Sequence, residues 1–201
     1  RRLADELVTP PVEQVVLEKS AGRVLAEEVL ADVDVPPFDR SAMDGCAFSG
    51  PPTLGEAYPV VGTIAAGDPP WSRSLKPGES CAIMTGAPVP PGADRVIPFE
   101  ELEREGDVVR AKVEGGGRTH IRFRGEVVHQ GAPVLTPGER LTPERIGVLA
   151  SVGKSEVQVY RCPRVAVAST GEELVPVSQV PAPGQIRDSN RWVIGALVGG
   201  W

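Results

Sequence analysis

Proline or glycine stands at more than one position in five of this 201-residue chain, which has Gly 23 and Pro 21. Proline fixes φ and removes a backbone donor, while glycine admits conformations closed to other residues, so neither suits the interior of a long helix. The chain is thereby confined to many short strands and turns with few helices. A hydrophobic content of 41% is enough to bury a core in one large domain or two small ones. The formal net charge of −6 provides no overall basic footprint, which weighs against nucleic acid or an anionic membrane as partner. No apolar run approaches the roughly 18 residues of a membrane span, and no signal-peptide core is visible. Cys46, Cys81 and Cys162 are odd in number, far apart and outside any CxxC pair. That pattern disfavours a zinc site or disulfide framework and fits a reducing cytoplasm. The start at Arg1 and the stop at Trp201, inside a helical pattern, read as the ends of a fragment.

Residues 1–8 carry a short amphipathic pattern predicting a brief helix before Thr9-Pro10-Pro11. Strands flanking a short helix are expected between Val12 and Val35, with Gly22 as the break. Further strands are expected at Tyr58–Gly67, Ser80–Met84, Asp94–Phe99, Asp107–Val113 and Ala132–Leu135, with a flexible tip at Gly115-Gly116-Gly117. The region from Phe38 to about His129 reads as a compact β domain inserted in the chain. Thr142-Pro143-Glu144 starts a helix with an N-cap, a proline at N1 and an acid in the first turn, with Ile146, Leu149 and Ala150 on one face and Gly153 at its end. Val157, Val159 and Tyr160 alternate as a strand, and Val165–Ala168 reads as a strand covered on both faces. Asp188-Ser189-Asn190 opens a helix carrying Trp192, Val193, Ala196 and Leu197, so the last part is β-loop-α.

Five segments could carry chemistry. Pro36 to Phe48 holds Asp39, Ser41 and Asp44, with Gly45 turning the chain beside Asp44 and Ala42 and Ala47 permitting close approach. It is either a solvated Pro-led loop or the acidic wall of a binding site. The strand exit at Thr85-Gly86 offers a hydroxyl and an N–H to an anion, or is an ordinary turn. Arg122 and Arg124, two apart on a strand, face one side and can hold phosphate or carboxylate, or simply a solvated face. Ser169-Thr170-Gly171 lies where ligands gather in open α/β sheets, with hydroxyls and an N–H for phosphate oxygens. Glu172 and Glu173 beside it would repel phosphate unless a cation such as Mg2+ intervenes. The Walker lysine pattern is absent, so no P-loop NTPase is indicated. Finally, Asp188 and Asn190 stand where a helix N-terminus binds an anion, although capping alone accounts for Asp188.

Taken in order from about Val12 to the C-terminus, these segments resemble the MoeA family of molybdopterin molybdenumtransferases, whose domain gephyrin also carries. The strings Ser41-Ala42-Met43-Asp44-Gly45 and Ile83-Met84-Thr85-Gly86-Ala87-Pro88 are the specific part of the match. The resemblance implies a multidomain α+β protein. A discontinuous α/β domain (1–37 and 129–160) would carry an inserted, β-rich, barrel-like domain (38–128). Residues 161–201 would begin a MogA-like α/β domain that binds molybdopterin. It implies insertion of molybdate into adenylated molybdopterin with Mg2+-dependent release of AMP, in a cytoplasmic homodimer. The inserted domain of one subunit would face the α/β domain of the other, with a MogA-type adenylyltransferase and molybdoenzyme acceptors as partners. Carried over, Asp44, Glu173 and Asp188 are the catalytic acids, and Asp44 and Glu173 the metal ligands. Thr85, Ser169, Thr170, Gly171 and Asn190 bind the cofactor precursor. A gephyrin-like scaffold without transfer chemistry and a generic sugar- or nucleotide-binding α/β protein are the competing readings. Three departures stand out: Val127 replaces the aspartate of RxxGED, Cys46 a usual tyrosine, and Glu172 the aspartate of STGDE. The first puts metal or molybdenum handling in question.

Overall fold

In the computed structural model, which describes residues 10–113 and 117–199, no described strand exceeds eight residues and no described helix exceeds ten. The strands in chain order are β1 (Val12–Val16), β2 (Val29–Leu30), β3 (Arg40–Ser41), β4 (Gly45–Phe48), β5 (Ala57–Ile64), β6 (Ser80–Ile83) and β7 (Arg95–Pro98). They continue with β8 (Leu102–Glu105), β9 (Val108–Ala111), β10 (Ile121–Arg122), β11 (Pro133–Leu135), β12 (Glu156–Tyr160), β13 (Leu174–Val175) and β14 (Ile186–Arg187). The helices are α1 (Pro143–Ser151) and α2 (Asn190–Gly199). The brief helix expected over 1–8 and the tip residues Gly115 and Gly116 lie outside the described residues.

The chain divides into two compact units, Gln14–Val159 and the described residues of 1–13 with 160–201. In the larger unit a six-stranded mixed sheet runs β7-β4-β6-β5-β9-β8. Its central strands β4 and β6 are buried at every residue because both faces of the sheet are covered. Side chains alternate across a strand, and here each face has its own apolar cluster. Cys46, Phe48, Ala82 and Ile97 go to one side; Ala47, Cys81, Ile83 and Val96 go to the other. Phe48 meets the ring of Tyr58 edge to face, with centroids 5.2 Å apart. Gly45 is required here by close approach, since a Cβ would lie 2.1 Å from the carbonyl oxygen of Ile97 on the neighbouring strand.

A third cluster is separate in sequence, joining Leu25, Val29 and Ala31 to Leu135, Leu141, Leu149, Val152, Val157 and Val159. Helix α1 caps it as the sequence implies: Thr142 Oγ1 accepts from the Arg145 N–H at 3.5 Å, and Gly153 takes φ 78° at the end. Of the three residues expected on one face of α1, Leu149 is fully buried, Ile146 is half-buried and Ala150 is exposed. Between β1 and β2 the expected short helix is a 3-10 turn, Leu17–Lys19.

The second unit departs from expectation. Val165–Ala168 forms no strand, and Val165 is 55% exposed. A β-strand exists only where a neighbour completes its ladder, and among the described residues nothing pairs with this run. The parallel pair in this unit is instead β13 with β14. Helix α2 leaves Trp192, Val193 and Leu197 exposed.

Candidate functional site

Asp44 is positioned by β3 and β4 on either side of it. Ser41, buried, donates its hydroxyl to the Met43 carbonyl at 2.6 Å and accepts the Met43 N–H at 3.3 Å, closing the loop on itself. The Ser41 N–H donates to the Ala87 carbonyl, and the Ser41 carbonyl accepts from the Gly86 N–H at 2.8 Å. One residue thus ties the signature loop to the Thr85-Gly86 turn. Across that junction Asp44 Oδ1 accepts both the Thr85 N–H, at 2.6 Å, and the Thr85 hydroxyl, at 2.7 Å. The hydroxyl bond first, then the backbone bond, hold the Asp44 carboxyl below its ordinary pKa. The two Thr85 donors expected to serve an external anion therefore serve Asp44. Among the described residues Oδ2 has no protein donor, so one oxygen is fixed and the other is left for a ligand.

The arginines are corrected too. Strand β10 ends at Arg122, and 123–126 is a turn, so Arg122 and Arg124 do not share a strand face. Arg122 pairs with Glu126 at 3.2 Å. Arg124 pairs with Asp34 at 2.5 Å, and its N–H donates to Asp39 Oδ1. Asp34 is itself held ionised below its usual range, first by the Gln130 N–H and then by Arg124. Arg124, Asp34 and Asp39 therefore form a structural tie that sequence spacing alone does not reveal. Val127 is 73% exposed, its N–H given to the Val35 carbonyl. Cys46, the second departure, is fully buried on β4, and burial pushes its thiol up to about 12. It is a packing residue with no nucleophilic character.

In the second unit Ser169, Thr170, Glu173, Asp188 and Asn190 line one cavity of about 320 Å³, and Gly171 lines a neighbouring one with Ser169 and Asp188. Asp188 Oδ1 accepts the Ser169 hydroxyl at 3.0 Å and the Arg191 N–H at 3.2 Å, so it caps α2 and orients the serine at once. Gly171 leaves room for the carboxylate of Glu173, whose Oε2 would lie 2.7 Å from a Cβ there. Hydroxyl and carboxylate oxygens converging on one cavity are the donor set a hard divalent cation takes, so the residues fit Mg2+. Among the described residues no group of three His, Cys, Asp or Glu is gathered to hold a metal unaided. No described helix is long and apolar enough to cross a membrane.

A small-residue signature loop carrying a hydroxyl-braced acid on a two-faced mixed sheet, followed in sequence by a Ser-Thr-Gly turn and a capped helix, defines an α+β protein. Residues 1–153 match the family model described as the MoeA N-terminal region, domains I and II, and the chain belongs to the MoeA family. It is 37% identical over 187 residues to the molybdopterin molybdenumtransferase of Synechococcus elongatus, covering 90% of this chain and 46% of that protein. It is 36% identical over 203 residues to the protein of that name from Staphylococcus aureus, covering 98% and 48%. Among solved structures, a molybdopterin biosynthesis MoeA protein from Pyrococcus horikoshii superposes with a TM-score of 0.78 at 33% identity, covering 98% of this chain and 52% of that one. The chain spans about half the length of the curated relatives it matches.

Proposed function

We propose that this chain supplies the acid-bearing part of a molybdopterin molybdenumtransferase, acting in molybdenum cofactor biosynthesis on adenylated molybdopterin and molybdate. The observation that carries the reading is the one-sided bracing of Asp44, whose Oδ1 takes both Thr85 bonds. A carboxylate held ionised in a fixed orientation, with its second oxygen unclaimed among the described residues, can orient a ligand or an attacking oxygen without reorganising. The Thr170 hydroxyl and the N-terminus of α2 are proposed to hold the phosphate of the pterin, with Ser169, Gly171 and Asn190 beside them. Mg2+ is proposed to be held by Asp44 and Glu173, where it would neutralise phosphate charge during release of AMP.

The layout proposed with this function is three-part, with boundaries near residues 37, 128 and 160, in a homodimer that pairs the sheet domain of one subunit with the α/β domain of the other. A MogA-type adenylyltransferase would deliver the substrate and molybdoenzymes would receive the product, in the cytoplasm. The test is molybdenum-dependent cofactor formation by the complete protein carrying Asp44→Asn. A drop of about a hundredfold with unchanged folding is expected, the scale of losing one charged positioning group. A wild-type rate would overturn the reading.

A further inference from the structure

Beside the signature loop, a cavity of about 490 Å³ is lined by Ala42, Thr119 and Ile121 with Arg118, His120 and Arg122. Its floor is pinned from two directions: the Ala42 N–H donates to the His120 carbonyl at 2.9 Å, and the Val96 N–H donates to the Thr119 carbonyl at 2.8 Å. His120 takes φ 49°, the left-handed region that a non-glycine residue rarely adopts. The antiparallel ladder of β3 and β10 sets Arg122 directly opposite Arg40, while Ser41 and Ile121 occupy the buried face. Like charges directly opposite in a ladder repel. Glu126 compensates Arg122 alone. Arg118 and Arg40 have no carboxylate partner among the described residues, in a chain whose net charge is −6.

We infer that this cavity is a subsite for a tetrahedral dianionic oxyanion, either free molybdate or the phosphate of a phosphomonoester. Two guanidiniums, an imidazole and a hydroxyl around a pinned concavity are the donor set for such an anion, and the bound charge would relieve the Arg40–Arg122 repulsion. The inference rests on the proposed function for the identity of the ligand, but not for the existence of the site.

The test uses the chain's two histidines as reporters. Inorganic phosphate, molybdate and AMP are titrated separately, with chloride at matched ionic strength and fixed pH, and the imidazole ring protons are followed by NMR. The expected result is a saturable shift of His120 with a still His129, which lies against Asp34 outside the cavity. Arg118→Gln should weaken the binding about tenfold, the scale of one lost charge-assisted hydrogen bond, and Arg40→Gln should weaken it less. Response to phosphate and molybdate identifies a free-oxyanion site; response to AMP alone identifies a phosphomonoester site. No His120 shift with any of the three, an equal shift with chloride, or a response that survives Arg118→Gln would overturn the inference. Because no turnover is involved, failure here leaves the Asp44 reading standing, and failure of Asp44→Asn leaves this site standing.

Discussion

The molecule presents the same small device twice, a hydroxyl donated to an aspartate, on very different foundations. Asp44 takes both bonds from one residue, Thr85, and the two loops involved grow out of strands buried on both faces. Asp188 takes its bonds from Ser169 and from the first turn of α2, in a unit whose helix leaves its large apolar residues exposed. The first pair is rigid because the sheet beneath it cannot move without opening two cores. The second is held mainly by local hydrogen bonds. Equal chemistry at two loops therefore does not mean equal preorganisation, and substitutions can separate the two contributions.

The widest separation should come from the foundations. Gly45→Val forces a side chain against the Ile97 carbonyl and should cost about 3 kcal/mol or more, read by denaturant unfolding. Phe48→Ala, which empties a site only 1% exposed, should cost about 4 kcal/mol in the same measurement. Either variant retaining wild-type stability would break the comparison. Next come the acids themselves: Thr85→Val removes the hydroxyl bond and keeps the backbone one, so the Asp44 pKa should rise toward its ordinary value in a carboxyl NMR titration. The sign follows from the depressed folded-state value. Stability from this bond is present above the unfolded pKa, near 3.9, and is lost as pH falls through the folded one. In Thr85→Val that loss should be smaller and centred at higher pH. Asp188→Ala should cost about 1 kcal/mol, as loss of a helix cap does. The smallest effect is expected at Trp192→Ala, within about 0.5 kcal/mol, because the ring is 63% exposed. A loss as large as that of Phe48→Ala would show the two foundations to be alike.

Much of the fold was legible where one local rule acts alone. Thr142-Pro143 and Gly153 mark the ends of α1 because capping chemistry is confined to a few residues. The strand runs around Cys81 and Val96 were readable as apolar because both faces are covered, whereas Gly45–Phe48, read as part of the signature loop, is the buried strand β4. What the sequence could not convey is pairing. Val165–Ala168 has the composition of a covered strand, yet composition does not supply a neighbour. Arg122 and Arg124 have the spacing of a strand face, yet the turn at Gly125 intervenes and Glu126 and Asp34 claim them. The candidate site was legible as a set of segments, since Asp44 and Thr85 do meet, and Ser169 and Asp188 do meet. Their direction was not: Thr85 reads as a donor to a ligand and acts as the brace of Asp44. Ser41 stood in the motif without a role because its work is done by hydrogen bonds to Met43, Ala87 and Gly86, which spacing does not display. Arg118 went unremarked and His120 read as an isolated histidine for the same reason, as only the cavity gathers them.

The distribution of the three free cysteines gives the larger unit a built-in clock. Cys162 is exposed, while Cys46 and Cys81 are enclosed on opposite faces of the same sheet. An alkylating reagent should therefore modify one sulfur at once and the other two only as fast as the strands separate. Counting labels by mass against time would give the opening rate of each face in a single experiment, with no probe attached and no residue changed.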